Sequence, residues 1–554
     1  MNVSQFLNKH LPIILVLGLI FFHILANSLW IYSNQPLPSW DAALHIALTQ
    51  KHATAIVQSH FLSDPIQFLR ISQYYPPFVY IVTSPLSLLS HNNYRIVSIS
   101  GSLFFSILLF FQYLYVEKVF KNNGIAVVSV FLLSFFITIY QQSRDHMLDL
   151  PLAALIMGGL YFFEKSNNFS KIKYTFLFSL CFSLSLLVKW YAPFFFLIPL
   201  GVSFLNHRKT QGFKLEHFRN ITLSIVLTSL LWIPWYVVNF QQFIAVARVT
   251  SLGELSDPQN IFSLNNVFFY LKLNTIFQFT FLGLLLIILS CMVAVREKNT
   301  SRLLGPILTI LFAYFFFTFI PNKNIRYLIP IMPWVSIILA IGVNYLLIHK
   351  MKILNIAGWG IMYYYFFTFL ILSFGVPFFP KYKYAINFPL LGWVDIFYLS
   401  TSPVRVLPDF NHWPNLDILR DINSLSPGLK QNRILILAAR EELNDYNFDP
   451  HVFPQDIFDH DTIQVVFFGF VDEHRSDLEM KRYLETQVDY IVVPQITIGL
   501  PEAVVNYEML SRYKTFVQTD QDLNFVKVKE YNVPATSMYP LDTLELYQNK
   551  TGPE

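Results

Sequence analysis

The sequence predicts a mainly α, polytopic membrane protein of about eleven transmembrane helices that ends in an extracytoplasmic α/β domain. Three observations predict it. Of 554 residues, 54% are hydrophobic and only 13% charged, where ordinary soluble domains carry about 25% charged residues. Apolar runs long enough to cross a bilayer, roughly 17–25 residues, recur up to Val376. From about residue 380 the apolar runs shorten and Asn, Asp, Pro and charged residues become common. The expected division is a membrane domain over 1–376 and an α/β domain over 377–554.

The runs lie at 11–32, 97–116, 124–142, 148–164, 174–188, 190–206, 220–240, 275–295, 303–320, 325–348 and 353–376. Lys189 and Pro193 break what would otherwise be one long helix over 174–206. The first run is too long for a signal-peptide core and has no small-residue cleavage pattern after it, so it reads as a retained span. Short loops carrying Lys118 and Lys121, then Lys165, Lys171 and Lys173, and later Arg296, Lys298 and Arg302, alternate with loops poor in cations. Positive-inside bias therefore places the N-terminus in the cytoplasm and the C-terminal domain outside the inner (plasma) membrane. Segment 76–90 is apolar but holds Pro76, Pro77 and Pro85. A span there would turn every later basic loop outward, so it reads as re-entrant or interfacial.

In the last third, 433–439, 462–470, 490–494 and 525–531 read as strands, being β-branched or aromatic and bounded by turn formers. Segments 476–487 and 501–513 read as helices. Strands interleaved with helices imply a small α/β domain. No GxGxxG or P-loop is present. Cys181 and Cys291 sit in apolar runs and read as apolar filler. The net charge of +4 gives no ground for a nucleic-acid partner. Membrane lipids are the expected surroundings.

Ionisable residues at membrane helix ends are costly and therefore informative. On the expected topology they collect at one outward face. The first group is PSWDAALHIA, with Asp41 just after the first span and His45 one helical turn later. Asp41 is placed to act as general base on an acceptor; the plainer reading is a helix N-cap. The second is QQSRDHMLDLPL. Here Arg144 has the fork geometry for phosphate, and Asp149 is suited to orient a substrate, position His146 or Arg144, or share a divalent metal. The plainer reading is an interfacial salt-bridged turn. The third is PNKNIRYLIPIMP, where Lys323 and Arg326 stand against the positive-inside bias beside Tyr327. Holding a lipid phosphate explains them, as does anchoring to outer-leaflet headgroups. Lys189 is either a snorkelling cation or a substrate-lining one, and His45 and His146 are further candidates to line the substrate. Tyr75, ahead of the Pro-Pro pair, belongs to an aromatic belt or a sugar-stacking wall.

Taken in order, WDAALH, YYPPFVY, SRDHMLDLPL, LLVKW and NKNIRYLIPIMP resemble the dolichyl-phosphate-mannose protein mannosyltransferase superfamily, which includes the bacterial aminoarabinose transferases. The resemblance covers roughly residues 10–350. It implies a GT-C fold, a polyprenyl-phosphate-linked sugar as donor, and a membrane glycosyltransferase acting on an extracytoplasmic acceptor. It also implies that Asp41 is the acceptor-activating carboxylate. Asp149 then matches the acid of the second outer loop, with Arg144 upstream, and Arg326, Tyr327 and Pro330 match the third motif, with Lys323 ahead. The chain departs from many relatives in having Ala42 after Asp41 and Tyr75 before the Pro-Pro pair. The residues themselves call for no cofactor, and a divalent metal stays open. The alternative is a polytopic transporter or lipid flippase. It would place its charges near the bilayer midplane and show inverted repeats, and neither is visible in this sequence.

Overall fold

Each of the eleven apolar runs is helical in the computed structural model of the chain. The structure describes all residues except 1–2, 39, 211, 213, 253–261, 298–299, 376–383, 389–391, 398–406, 427–430, 439, 441–442, 454–461, 467–475, 497–506, 521, 536–539 and 551–554. The helices through residue 186 are α1 (Val3–Ser33), α2 (Trp40–Val57), α3 (His60–Ser63), α4 (Pro65–Arg70), α5 (Phe78–Leu89), α6 (Tyr94–Phe120), α7 (Asn123–Ser134), α8 (Ile137–Gln142), α9 (Asp149–Ser166) and α10 (Ile172–Leu186). They continue as α11 (Pro193–Thr210), α12 (Leu215–Leu252), α13 (Leu264–Phe277), α14 (Thr280–Arg296), α15 (Thr300–Thr318), α16 (Met332–Ile348) and α17 (Lys352–Phe374). Among the described residues, five helices are each long and apolar enough to cross a membrane, and α13 with α14 makes a sixth candidate bent by 108°. The chain is a multi-pass membrane protein.

The expected break after α10 is present: α10 ends at Leu186 and α11 starts at Pro193. Segment 76–90 forms α5, only 12 residues long with Pro85 inside. At 1.5 Å per residue it reaches about 18 Å, short of a hydrocarbon core of about 30 Å. In contrast, α12 continues past the expected end at 240 and runs to Leu252.

Two compact units make up the chain. The first comprises Met1–Ile31, Asp64–Val79 and Ile99–Leu407; the second comprises Tyr32–Ser63, Tyr80–Ser98 and Pro408–Glu554.

In the first unit, two broken helices satisfy each other. Thr280 opens α14 at a left-handed φ of 63°, which ends α13 and frees carbonyls that have no water to turn to. Thr138 Oγ1 donates to the Phe277 carbonyl at 2.8 Å. The Ile137 amide, at the α7/α8 break, donates to the Gln278 carbonyl at 3.4 Å, and the Tyr365 hydroxyl donates to the Phe279 carbonyl at 2.5 Å. A buried polar network ties the turn after α8 to its neighbours. Asn27 Nδ2 of α1 donates to Ser143 Oγ at 2.7 Å and to Ser102 Oγ of α6 at 3.1 Å. Close approach requires Gly101: a Cβ there would stand 2.5 Å from the Asp145 carbonyl oxygen.

The second unit is three-layered. Its strands are β3 (Asn432–Ile436), β4 (Ile463–Val466), β5 (Tyr490–Pro494), β6 (Phe525–Val533) and β7 (Asp542–Asn549), after β1 (Tyr384–Phe388) and β2 (Gly392–Phe397) of the first unit. They form one sheet in the order β4-β3-β5-β7-β6. β3 is parallel to β4 and β5, while β7 is antiparallel to β5 and β6. Side chains alternate along each strand. Ile434, Ile436, Tyr490 and Val492 face a core that takes in Ile418, Leu419 and Ile422 of α18 (Asn415–Leu425) and Ala43 and Ala47 of α2. Leu435, Leu437, Ile491 and Val493 face α19 (Asp477–Gln487) and α20 (Tyr507–Thr519) through Met480, Leu484, Leu510 and Tyr513. The α/β expectation holds, and the four expected strands are β3 to β6. Residues 439, 467–470 and 501–506 of the expected elements lie outside the described residues. The β7 strand was not anticipated.

Candidate active site

The first unit gathers a charged and aromatic cluster where α9 begins and α10 has ended. Asp149 is the first residue of α9, where the helix dipole favours a carboxylate. It is fully buried. Lys189, in the break before α11, donates to Asp149 Oδ1 at 2.6 Å, with 11% of its side chain exposed. The Tyr191 hydroxyl reaches the same oxygen at 3.5 Å. The other carboxylate oxygen, Oδ2, is buried with no hydrogen-bond partner among the described residues. The 3-10 turn Ile325–Ile331 packs on α9 and carries Arg326 and Tyr327, both half-buried. Tyr327 meets the Tyr191 ring at 6.2 Å and the Phe317 ring at 5.8 Å. Tyr191 thus lies within electrostatic reach of Asp149, Tyr327, Arg326 and Tyr74. One carboxylate and two cations leave this cluster a formal net charge of +1, which suits an anion.

Two cations expected at a phosphate are committed elsewhere. Arg144 is 1% exposed. Its Nε donates to Asn27 Oδ1 at 3.1 Å and its Nη2 to Ser373 Oγ at 2.6 Å, and Trp30 and Tyr140 each hold their rings 5.1 Å from the guanidinium carbon. It is a buried knot between α1, α17 and the turn after α8. Lys323 spends its three N–H donors on the carbonyls of Phe317, Thr318 and Ile320, capping the C-terminal end of α15 where the dipole favours a cation. The expectation that these two hold the donor phosphate gives way to structural roles. His146 shifts likewise: it is 1% exposed and bonded through Nδ1 to Ser100 Oγ at 2.7 Å, so it does not line an open cavity. Tyr75 is half-buried, its ring 4.7 Å from that of Tyr74. Sequence reasoning passed over Tyr191; its place two residues after an isolated Lys was the available signal.

Asp41 and His45 belong to the second unit. Asp41 is the second residue of α2 and half-buried. It lies within electrostatic reach of the phenols of Tyr80 and Tyr446. His45 is 2% exposed and shares a hydrogen bond with the Tyr80 hydroxyl at 2.9 Å, so it acts as a support rather than a lining residue. Two 3-10 turns, Asp445–Phe448 and Pro450–Val452, pack on α2. The first forms because Asn444 caps it, accepting from the Tyr446 and Asn447 amides. Asn447 Nδ2 in turn donates to the Pro38 carbonyl. Lys51 of α2 pairs with Asp449 at 3.3 Å, and His451 Nδ1 lies 2.8 Å from the same residue. Trp40 opens α2 at a φ of 40°, a left-handed conformation that costs a bulky residue about 1–3 kcal/mol.

Two carboxyls of this segment titrate in opposite senses. Burial pushes Asp445 up to about 6. Burial would raise Asp449 too, but the hydrogen bond from His451 and the charge of Lys51 outweigh it and hold it well below the usual carboxylate range. Ionised Asp445 therefore costs stability above pH 6, and the cost fades as pH falls toward its ordinary value. Asp449 contributes stability above its ordinary value and loses it as pH falls further. We expect Asp445→Asn to raise stability at pH 8 by on the order of 1–3 kcal/mol with no gain at pH 4. Asp449→Asn should lower it at pH 8 by about 1–3 kcal/mol. Thermal unfolding of the purified chain across pH 4–8 checks both signs.

Among the described residues, no three His, Cys, Asp or Glu side chains come together in a group that could hold a metal.

Comparison with known proteins agrees with this architecture. Residues 57–250 match the family model of dolichyl-phosphate-mannose-protein mannosyltransferase. An uncharacterized protein of Aquifex aeolicus (strain VF5) is 24% identical over 446 residues, covering 75% of this chain and 82% of that one. Among solved structures, ArnT from Cupriavidus metallidurans in the apo state superposes with a TM-score of 0.57 at 12% identity over 100% of both chains. The same protein bound to undecaprenyl phosphate gives 0.55 at 11% identity over 98% of both.

Proposed function

We propose, from the premise that this multi-pass membrane chain has the GT-C glycosyltransferase fold, that it transfers a sugar from a polyprenyl-phosphate donor to an extracytoplasmic acceptor. The observation that carries the reading is the net-positive cluster of Asp149, Lys189, Arg326, Tyr327 and Tyr191. A solved neighbour of the same fold binds undecaprenyl phosphate, and a phosphate diester is the anion such a cluster suits.

The reaction is an inverting displacement. The acceptor oxygen or nitrogen attacks the anomeric carbon and loses its proton to a carboxylate base, the role that the family resemblance gives to Asp41. The bond from the anomeric carbon to the phosphate oxygen breaks on the opposite side. The phosphate leaves with the electron pair, its growing charge met by Arg326 and by the Tyr327 hydroxyl. Lys189 adds positive potential while Asp149 fixes its position.

The purified chain, given radiolabelled undecaprenyl-phosphate-linked sugars and a membrane extract, should move label from the donor to extract. A donor set that leaves every extract unlabelled would remove the proposal. The two cations of the third motif should separate in the same assay. Arg326→Gln is expected to cut transfer about 100-fold or more, the scale seen when one transition-state donor is lost. Lys323→Gln should mainly lower thermal stability by about 1–3 kcal/mol, since it uncaps a helix end. Equal activity losses in the two variants would contradict this division.

A further inference from the structure

Trp40 combines three features that the proposed chemistry does not use. Its backbone is held at a left-handed φ of 40°, a conformation that a bulky side chain adopts only when its surroundings force it. Its indole Nε1 is buried and has no hydrogen-bond partner among the described residues. Buried Trp N–H groups ordinarily find one, and an orphaned donor at a strained position is a mark of a binding site. Its ring meets that of Tyr446 at 6.5 Å and 73°.

Tyr446 arrives from far along the chain, on the 3-10 turn capped by Asn444. Its ring is half-buried against the core shared by α2 and the sheet. Its phenol lies within electrostatic reach of both Asp41 and Asp445. Trp40 precedes Asp41 directly in sequence, so an aromatic pair, an N–H donor and two carboxylates stand around one short stretch of α2. Aromatic faces take the apolar C–H faces of sugar rings, while carboxylates accept from ring hydroxyls and the indole N–H donates to a ring oxygen.

We infer that Trp40 and Tyr446 form the acceptor subsite and that the acceptor is a saccharide, its sugar ring against the two aromatic rings and one hydroxyl presented to Asp41. The C-terminal part of the chain, through Tyr446, then sets acceptor choice. This inference rests on the transferase reading and on Asp41 as base.

The test uses the full-length chain with its radiolabelled undecaprenyl-phosphate-linked donor and titrated membrane extract as the probe. Extract treated with periodate, which cleaves sugar diols, should lose acceptor capacity, and protease-treated extract should keep it; the reverse pattern would overturn the saccharide assignment. Trp40→Leu and Tyr446→Leu, which remove the aromatic faces, should each raise the extract concentration for half-maximal transfer 10-fold or more, while Tyr446→Phe, which keeps the ring, should shift it little. Slow donor hydrolysis to water, which needs no acceptor, should stay within about threefold. A half-saturation unchanged in a folded Tyr446→Leu variant would overturn the subsite while leaving the transferase reading intact. Asp41→Asn separates the two failures. If it still transfers, the base assignment falls and this inference with it; if it is inactive, the half-saturation shifts alone decide the subsite.

Discussion

Asp41→Asn is expected to lower transfer by about 10²–10⁴-fold, the usual worth of a positioned general base, in a protein that folds and binds its donor as before. The amide keeps the size and shape of the carboxylate but cannot accept a proton. Structurally the change is mild. Asp41 is half-buried in the first turn of α2, and losing a charge near a helix N-terminus costs about 0.3–1 kcal/mol. The core contacts of α2 run through Ala43 and Ala47, which the substitution leaves alone. Stability and rate should therefore separate cleanly. Initial rates with labelled donor, beside thermal unfolding of the same preparation, check the expectation. Near-normal turnover would refute the role of Asp41, and a collapse in stability would mean that the residue serves the fold.

What the sequence made legible follows from what local patterns can carry. Long apolar runs report burial in lipid directly, so each helix long and apolar enough to cross a membrane among the described residues falls on an expected run, and Lys189 with Pro193 marked a real break. Short runs of β-branched and aromatic residues bounded by turn formers located four strands of the five-stranded sheet. The ends of helices were harder. Gln241 and Gln242 end the apolar run at 240 but not the helix, since Gln is a good helix former, and the left-handed turn at Thr280 depends on partners from α8 and α17 that no local window contains. Partnerships were the least legible. Arg144 and Lys323 looked like phosphate ligands because a cation at a helix end is unusual. Whether its protons go to a ligand, or to Asn27, Ser373 and the last carbonyls of a helix, is decided by residues up to 229 positions away. The same holds for α2, whose neighbours in the second unit lie almost 400 residues on, at Asp449.

The ion pair of Lys189 and Asp149 should show the second large effect, and its double variant discriminates. Asp149 is fully buried and Lys189 nearly so. Removing one partner leaves the other charge in a medium that solvates it poorly, a loss of about 3–5 kcal/mol. We therefore expect Lys189→Met and Asp149→Leu each to lower the unfolding temperature sharply and to abolish transfer. Replacing both by apolar residues of similar size removes both uncompensated charges, and such replacements are often neutral for stability. The double variant Asp149→Leu/Lys189→Met should thus regain most of the stability lost by either single change. It should not regain activity, because the Lys189 ammonium that Asp149 holds in place and the anchor for the Tyr191 hydroxyl are both gone, even though the net charge of the cluster is unchanged. A double-mutant cycle on unfolding free energy should return a coupling well above the ~0.3–0.5 kcal/mol scatter of independent sites. If the double variant is stable and active, the pair is a structural rivet, and the donor phosphate must be held without it. If it is stable and inactive, the polar groups of the pair are needed for the chemistry separately from their part in folding.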